Sequence, residues 1–186
     1  MKLLLYCTKG KPDIMTVKYV AGPDNYCKLK ETHFNGKIVA ECDFEVEKIK
    51  NELTQNDSHL KLYTDTLTEK ELFEKSCLNR YEMFNYLQNN FTKKSEPNGY
   101  TIHIKNLNKF DEPKELSDYR CKKSLEKIKM APQNMMYVHS LVSVDDPIEN
   151  NIETDVLISI RPEWLCKILN GEKTIEVRKK VLKEML

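Results

Sequence analysis

The clearest hydrophobic pattern of the chain lies near its C-terminal end. Residues 156–160 form an apolar, β-branched run, which predicts a buried strand. Pro162 suits the first turn of a helix that follows, and Gly171 is placed to end that helix with left-handed backbone. The positions on the apolar face of this helix are Trp164, Leu165, Ile168 and Leu169. Polar and apolar residues then alternate over 174–178, which predicts a second strand with one charged face.

The charged face of that second strand carries the candidate chemistry. Lys173, Glu176 and Arg178 lie within six residues, and the last two share a strand face. A carboxylate between two cations can bind a phosphate or polarise a carbonyl group. The same spacing also fits a solvated strand edge with an ordinary ion pair, which contributes little to stability. Spacing alone leaves both interpretations open.

The remaining strands are predicted from alternation and from apolar runs. Residues 2–7, 37–49 and 99–110 predict three strands, and residues 132–138 lead into another. Pro113 is expected to begin a short helix that continues through Tyr119. Consecutive strands joined by turns favour a closed or nearly closed sheet, so the pattern predicts an α+β fold.

Residues 51–91 predict an insertion with helical content. Thr68 and Glu71 have the spacing of a helix capping box. The apolar residues around them are Leu67, Leu72, Phe73, Tyr81, Phe84, Tyr86 and Leu87. Helical spacing already explains the aromatic side chains, so we interpret them as core rather than as a surface that stacks on bases.

Charge is balanced over the whole chain but uneven along it. The 30 basic and 29 acidic residues give a net charge of +1, so any nucleic-acid site must be a local patch. Residues 120–129 carry five cations against Glu126, which fits a phosphate-contacting patch or a solvated loop and helix. Residues 143–155 are acidic without any basic residue, which predicts a flexible linker.

Cysteine and histidine usage predicts no metal site. The six cysteines and four histidines are scattered, and their spacing matches no zinc pattern, so we expect reduced thiols and no metal or cofactor. The apolar runs are too short for a transmembrane helix, and Thr8 and Lys9 interrupt the apolar start of the chain before it could form a signal peptide. We therefore expect a cytoplasmic protein without a membrane partner.

The pattern Gly171-x-Lys173-x-x-Glu176-x-Arg178, preceded by a strand-to-helix turn, resembles the signature of the ASCH domain, a member of the PUA-like superfamily. Further segments resemble bacterial and phage ASCH proteins, and together they extend over most of the chain: 5–10, 35–41, 100–104, 113–117 and 131–133. The resemblance implies a small PUA-like β-barrel with flanking helices.

The order of these segments departs from the family. In ASCH domains the signature comes first, whereas here it comes last, which a circular permutation explains. Residues 1–142, with the insertion at 51–91, would then form the main part of the barrel. The linker at 143–155 would lead to the signature segment at 156–186, which completes the same barrel. A linker of this length reaches either its own barrel or a neighbouring one, so a monomer and a segment-swapped dimer are both expected.

The resemblance implies an RNA- or nucleotide-binding protein with its cleft beside the signature. Lys173 and Arg178 would contact phosphate or a base edge, and Trp164 or Tyr6 would stack on a base. Thr8 and Lys9 follow the first strand and are expected in the same cleft, unless they form only a polar turn.

Two alternatives stay open at this point. Some relatives are ribonucleases or amidohydrolases that act on acetylated cytidine, and an enzyme of this kind would use Glu176 as general base with Lys173 as its electrostatic partner. The amidohydrolases use a Lys, a Thr and a Glu. Lys173 matches that lysine, but Glu176 occupies the position of the threonine. The other alternative is a non-enzymatic protein-interaction module of a phage regulatory type, in which the signature only stabilises the barrel.

Overall fold

The computed structural model of the protein describes residues 1–9, 36–53, 60–87, 99–140 and 154–186. Most of the predicted acidic linker lies outside these residues, although Thr154 and Asp155 belong to a strand. The described residues form eight strands: β1 Leu3–Cys7, β2 Ile38–Leu53, β3 Leu60–Tyr63, β4 Gly99–Lys114, β5 Tyr119–Cys121, β6 Met135–Ser140, β7 Thr154–Ile160 and β8 Ile175–Arg178. Their three α-helices are α1 Glu69–Ser76, α2 Arg80–Leu87 and α3 Pro162–Leu169, and short 3-10 turns cover Leu116–Asp118 and Lys183–Met185.

The strands follow the order β5-β6-β7-β1-β2-β4-β8, and β3 pairs with β2 beside this path. The α+β class expected from the sequence is therefore confirmed. The closed barrel is not found, because no ladder among the described residues joins β5 to β8, the two ends of the order. The residues divide into two compact units. The first unit contains Met1–Asp43 and Asn106–Asn170, and the second contains Phe44–Lys105 and Gly171–Leu186.

The first unit is organised around the pairing of β7 with β1. These two strands run parallel, with Leu3 opposite Val156 and Cys7 opposite Ile160. Strand β6 pairs antiparallel on the other side of β7, and β5 pairs antiparallel with β6. Strand β7, the first strand of the signature segment, therefore lies beside the N-terminal strand β1, as the sequence predicted. The circular permutation itself stays a prediction.

Side chains alternate across the strands of the first unit, so its sheet has two apolar faces. One face carries a buried cluster: Leu4, Tyr6, Ile38, Tyr119, Ile128, Val138 and Leu157. Helix α3 packs against β1 and buries Leu165 and Ile168, which are not part of that cluster. Helix α3 therefore covers the opposite face.

In the second unit, the two insertion helices share one buried cluster with residues of β2, β3 and β8. Helix α1 contacts both β3 and β8. The buried cluster of this unit contains Ile49, Leu62, Leu67, Leu72, Met83, Leu87, Ile175 and Val177. Strand β8 pairs antiparallel with β4, with Tyr100 opposite Arg178 and His103 opposite Ile175. Burial of these apolar residues is the main stabilising contribution in this unit.

Local signals in the sequence predicted the helix ends correctly. Thr68 and Glu71 form the expected capping box of α1, with each side chain accepting from the other residue's backbone N–H. Pro162 occupies the first turn of α3, and Gly171 has a φ of +78°, the left-handed conformation that favours glycine.

Predictions that ignored tertiary contacts were less successful. Strand β4 continues through Pro113 to Lys114, and only a 3-10 turn follows where a helix was expected. The loop and helix expected at 120–129 is a strand and a turn, because the buried Tyr119 and Ile128 both pack into the cluster of the first unit. Tyr81 was expected in the core, but 76% of its surface is exposed.

Candidate functional site

The three signature residues lie in the second unit, at and just before β8. We call Lys173, Glu176 and Arg178 the signature cluster. Their side chains are only 2%, 11% and 13% exposed, and Glu176 stands between the buried residues Ile175 and Val177. The cluster is therefore buried and is not the solvated strand edge that the sequence left open.

Glu176 is held between the two cations of the cluster. Its Oε2 atom lies 3.4 Å from Nζ of Lys173, and its Oε1 atom lies 3.0 Å from Nε of Arg178. The contact with Arg178 is an ion pair rather than a directed hydrogen bond. One carboxylate thus compensates two buried positive charges, an arrangement whose stability depends on that carboxylate.

The signature cluster also closes the C-terminal end of α1. Nζ of Lys173 donates a 2.6 Å hydrogen bond to the carbonyl of Ser76, the last residue of the helix. The backbone N–H of Thr174 donates to the carbonyl of Lys75 at 3.0 Å, and the thiol of Cys77 donates to the carbonyl of Glu172. The last carbonyls of a helix have no partner within it and carry partial negative charge, so an ammonium group is stabilising there. Lys173 therefore acts as a buried helix cap.

Burial lowers the pKa of Lys173 below its ordinary value of 10.5, and the neighbouring charge of Glu176 partly opposes this shift. A lysine with a lowered pKa can serve as a general base, but structural ion pairs produce similar shifts. The ammonium is already bound to Ser76 and Glu176 and is almost fully buried. In this arrangement, Lys173 and Glu176 support the packing of α1 against β8, and their catalytic roles stay predictions.

The other predicted site residues lie in the first unit. The backbone N–H of Thr8 donates to the carbonyl of Ile160 at 3.0 Å, which extends the pairing of β1 with β7 past the end of β1. The exposed Lys9 follows, and its side chain passes over Gly36. Gly36 has a φ of +82°, and a Cβ atom there would lie 2.8 Å from Cε of Lys9. The lysine side chain could move aside, so it is the positive φ that favours glycine at this position.

The two aromatic candidates, Tyr6 and Trp164, differ in their exposure to solvent. Tyr6 is only 5% exposed and belongs to the buried cluster of the first unit, and burial raises the pKa of its phenol. Its ring is therefore part of the core rather than a stacking surface. Trp164 is partly exposed on α3, and Nζ of Lys167 lies 5.1 Å from the centre of its ring. This distance is typical of a cation–π contact.

Strand geometry adds Arg161 to these residues. Cys7 and Ile160 are paired at the carboxyl ends of two parallel strands. Lys9 and Arg161 follow these two strand ends, and both are exposed. Trp164 follows Arg161 by three positions, at the start of α3. We call the following residues the strand-end group: Thr8, Lys9, Arg161, Trp164 and Lys167. The sequence contained a signal for Arg161, because it directly follows a predicted strand, but only the parallel pairing places Arg161 and Lys9 after the same end of two neighbouring strands.

The predicted site residues are thus divided between the two units. The signature cluster lies in the second unit, and the strand-end group lies in the first. A single cleft that combines Lys173 with Thr8 and Lys9 stays a prediction.

A further polar cluster in the second unit was not predicted. Oε2 of Glu47 accepts hydrogen bonds from the hydroxyls of Thr64 at 2.6 Å and Thr66 at 2.9 Å, and it lies 3.2 Å from Nε2 of His103. These contacts attach the turn before α1 to β2 and β4. The two threonine hydroxyls and His103 lower the pKa of Glu47, although desolvation opposes them.

Replacement of Glu47 by glutamine should therefore make the protein less sensitive to acid. A carboxylate whose pKa is lowered in the folded state stabilises above its unfolded pKa, and this contribution is lost as the pH falls through the folded pKa. We expect the melting temperature of Glu47→Gln to decline less steeply than that of the wild type below pH 4.5, the ordinary value for this group. Glu45→Gln, which removes an exposed carboxylate, is the matched control. Parallel acid profiles for wild type and Glu47→Gln would contradict this role.

The residues that the structure describes contain neither a metal-binding cluster nor a membrane-spanning helix. Within the described ranges, no three histidine, cysteine, aspartate or glutamate side chains are placed to hold a metal ion. In the same part of the chain, every helix is too short or too polar to cross a membrane.

Comparison with known proteins adds no relative on which an assignment could rest. No protein-family model matches this chain, and no curated protein or solved structure shows significant similarity to it.

Proposed function

We propose that this protein binds RNA through the strand-end group of its first unit. The observation that carries the proposal is the position of Lys9 and Arg161, two exposed cations at the ends of neighbouring parallel strands. Ligands of open sheets commonly bind outside the carboxyl ends of parallel strands. Two cations at such an edge suit phosphate groups, which are bound mainly by arginine and lysine.

Trp164 supports a nucleic acid rather than a simple anion. Its partly exposed ring stands one helical turn after Arg161, with the ammonium of Lys167 against it. Aromatic rings beside cations are the usual surface for unpaired bases, because each base stacks while its phosphate meets a positive charge. The net charge of only +1 is consistent with binding at such a local patch.

We also propose a family for this protein. A circularly permuted ASCH domain with a PUA-like fold would account for the GxKxxExR pattern near the C-terminal end, and the parallel pairing of β7 with β1 supports it. In this proposal, the signature cluster maintains the contact between α1 and β8, and the strand-end group contacts the RNA.

One observation favours the hydrolase alternative. Lys173 has a lowered pKa and lies 3.4 Å from a carboxylate, a pair that could exchange a proton. Use of this pair would require the hydrogen bond from Lys173 to Ser76 to open. Shortened RNA, or cytidine released from acetylcytidine, after incubation with the protein would support the hydrolase, and intact RNA in a saturable complex supports binding alone.

The double variant Lys9→Gln/Arg161→Gln should bind a fluorescein-labelled single-stranded RNA about 10- to 100-fold more weakly than the wild type. The reason is that a hydrogen bond to a charged group contributes about 1.5–3 kcal/mol. Because both side chains are exposed, we expect a contribution at the lower end of this range, and about 1.4 kcal/mol corresponds to a tenfold change in affinity. Fluorescence anisotropy at fixed ionic strength measures this change.

A matched control removes two cations elsewhere. Lys48 and Lys61 are exposed in the second unit, so Lys48→Gln/Lys61→Gln has the same net charge as the test variant. We expect this control to bind RNA nearly as tightly as the wild type. Equal losses in both double variants would show a general charge effect and would contradict a site at the strand-end group.

A further inference from the structure

Two basic residues of the segment 120–129, Arg120 and Lys127, lie on one face of a small antiparallel segment. Arg120 pairs with His139 across β5 and β6, and on its other side it forms a bridge with Lys127. Residues directly opposite one another in neighbouring strands point to the same face. Lys127, Arg120 and His139 therefore form a row across β6, β5 and the segment that carries Lys127, which we call the cationic row after Arg120 and Lys127.

Neighbouring positions extend this face. Tyr137 precedes His139 by two residues, so it shares the face of the cationic row. The backbone N–H of Lys122 donates to the carbonyl of Tyr137 at 3.0 Å, and its ammonium lies 5.0 Å from the centre of the tyrosine ring. The face thus combines cations with a partly exposed aromatic ring.

The opposite face of the same segment is fixed in the core. Tyr119 and Ile128 are 2% and 5% exposed, and Val138 is fully buried with them in the cluster of the first unit. The backbone N–H of Ile128 also donates to the carbonyl of Tyr119 at 3.0 Å. The cationic row therefore stands on a rigid support rather than on a flexible tail.

The charges of this face are unfavourable for the protein alone. Like charges directly opposite in a strand pair are destabilising, and Arg120 and Lys127 are such a pair. Both are exposed, as is Lys129, and within the described part of the chain none of the three forms an ion pair. The whole protein is nearly neutral, so this concentration does not follow from a generally basic composition. A bound polyanion would relieve the repulsion.

We infer that this face contacts the phosphates of a single-stranded nucleic acid, with Tyr137 as a stacking surface for one base. The inference rests on the proposed RNA binding and identifies the strandedness of its partner. Strand β7 pairs with β1 on one side and with β6 on the other, so the strand-end group and this face belong to one sheet. His139 pairs with Thr154 at the start of β7, whereas Arg161 follows its end.

A single strand fits this face better than a duplex or a lipid surface. The bases of a duplex are stacked inside it and offer no free face to Tyr137. Binding to a lipid surface is strengthened by an apolar patch that enters the headgroup region beside the charges. The two exposed apolar residues here, Leu125 and Met130, are separated by the returning segment 126–129 and form no such patch.

The test compares Arg120→Gln/Lys127→Gln with the wild type in salt titrations of a labelled single-stranded RNA. Each phosphate contact in a single strand contributes about 0.7 to the slope of log K against log salt, so the slope should fall by about 1.4. Tyr137→Ala should weaken binding of the single strand about tenfold and leave duplex RNA of the same sequence unaffected. Lys48→Gln/Lys61→Gln is again the charge-matched control.

A cooperative melting transition of Arg120→Gln/Lys127→Gln shows that this variant is folded, and the single variant Arg120→Gln tests the repulsion itself. The melting temperature of Arg120→Gln without RNA should rise by about 1–3 °C, because the like-charge pair is removed. A lowered melting temperature would mean that Arg120 makes a stabilising contact and would overturn this part of the argument.

The outcomes separate this inference from the proposed function. An unchanged salt slope in Arg120→Gln/Lys127→Gln, combined with weak binding by Lys9→Gln/Arg161→Gln, would overturn the inference and leave the proposed site intact. The reverse result would overturn the proposed site alone. Tighter binding to duplex than to single-stranded RNA would overturn the inference, as would Leu125-dependent binding to phosphatidylserine vesicles without RNA binding. Failure of the wild type to bind RNA would overturn both.

Discussion

Replacement of Glu176 by glutamine should lower the free energy of unfolding by about 3–5 kcal/mol, the usual cost of removing one partner from a buried ion pair. The carboxylate lies between Lys173 and Arg178, whose side chains are 2% and 13% exposed. Glutamine preserves the shape but removes the negative charge, so Lys173 and Arg178 would both lose their ion pair with Glu176 while staying buried. Urea unfolding measures the change.

Residues next to Glu176 provide a control variant and a double variant for this prediction. Glu172 is exposed next to the same turn, so Glu172→Gln should change stability by less than about 0.5 kcal/mol. The double variant Lys173→Met/Glu176→Gln should lose less stability than the sum of its single variants, because each single variant leaves one member of the Lys173–Glu176 pair buried without the other. A loss below about 1 kcal/mol in Glu176→Gln would mean that water already reaches the cluster.

Replacement of Leu72 by alanine should cost about 2–5 kcal/mol, because it leaves a cavity in the core of the second unit. Leu72 is fully buried in α1, which packs against both β3 and β8. Urea unfolding, followed by far-ultraviolet circular dichroism, measures the loss. Tyr81→Ala on α2 is the matched control, because it truncates a larger side chain that is 76% exposed. Equal losses in the two variants would contradict the packing of the insertion.

The insertion helices illustrate what the sequence could predict. Capping residues act over three or four positions, so Thr68 and Glu71 identified the start of α1 without any tertiary information. The side on which α2 is buried depends on which elements lie next to it. The aromatic residues there were assigned to the core together, although Met83 and Leu87 are buried and Tyr81 is not.

The signature cluster shows more clearly which contacts could not be predicted from the sequence. The spacing of Glu176 and Arg178 predicted that they would meet on one strand face, and they do, with 3.0 Å between Oε1 and Nε. The role of Lys173 depends on the carbonyl of Ser76, which lies 97 residues away in the sequence. No local pattern contains that contact, so an apparently exposed lysine could not be recognised as a buried helix cap.

The cationic row shows the same dependence on pairing. Residues 120–129 read as a charge run in the sequence, and such runs are usually solvated. Only the register of β5 with β6 and the bridge to Lys127 place Arg120 between two basic residues on one face. The parallel pairing of β7 with β1 likewise places Arg161 and Lys9 just after the same end of two neighbouring strands.

That parallel pairing also has a consequence for synthesis of the protein on the ribosome. The backbone N–H of Lys2 donates to the carboxylate of Asp155, its partner 153 residues later in the chain. Strand β1 therefore leaves the ribosome long before β7 exists. During that time, the backbone edge of β1 that β7 later covers has no partner, and its side chains are apolar. Contacts of such high sequence separation form slowly, and unpaired edges promote aggregation. Newly made chains should therefore depend on chaperones until translation has passed Ile160.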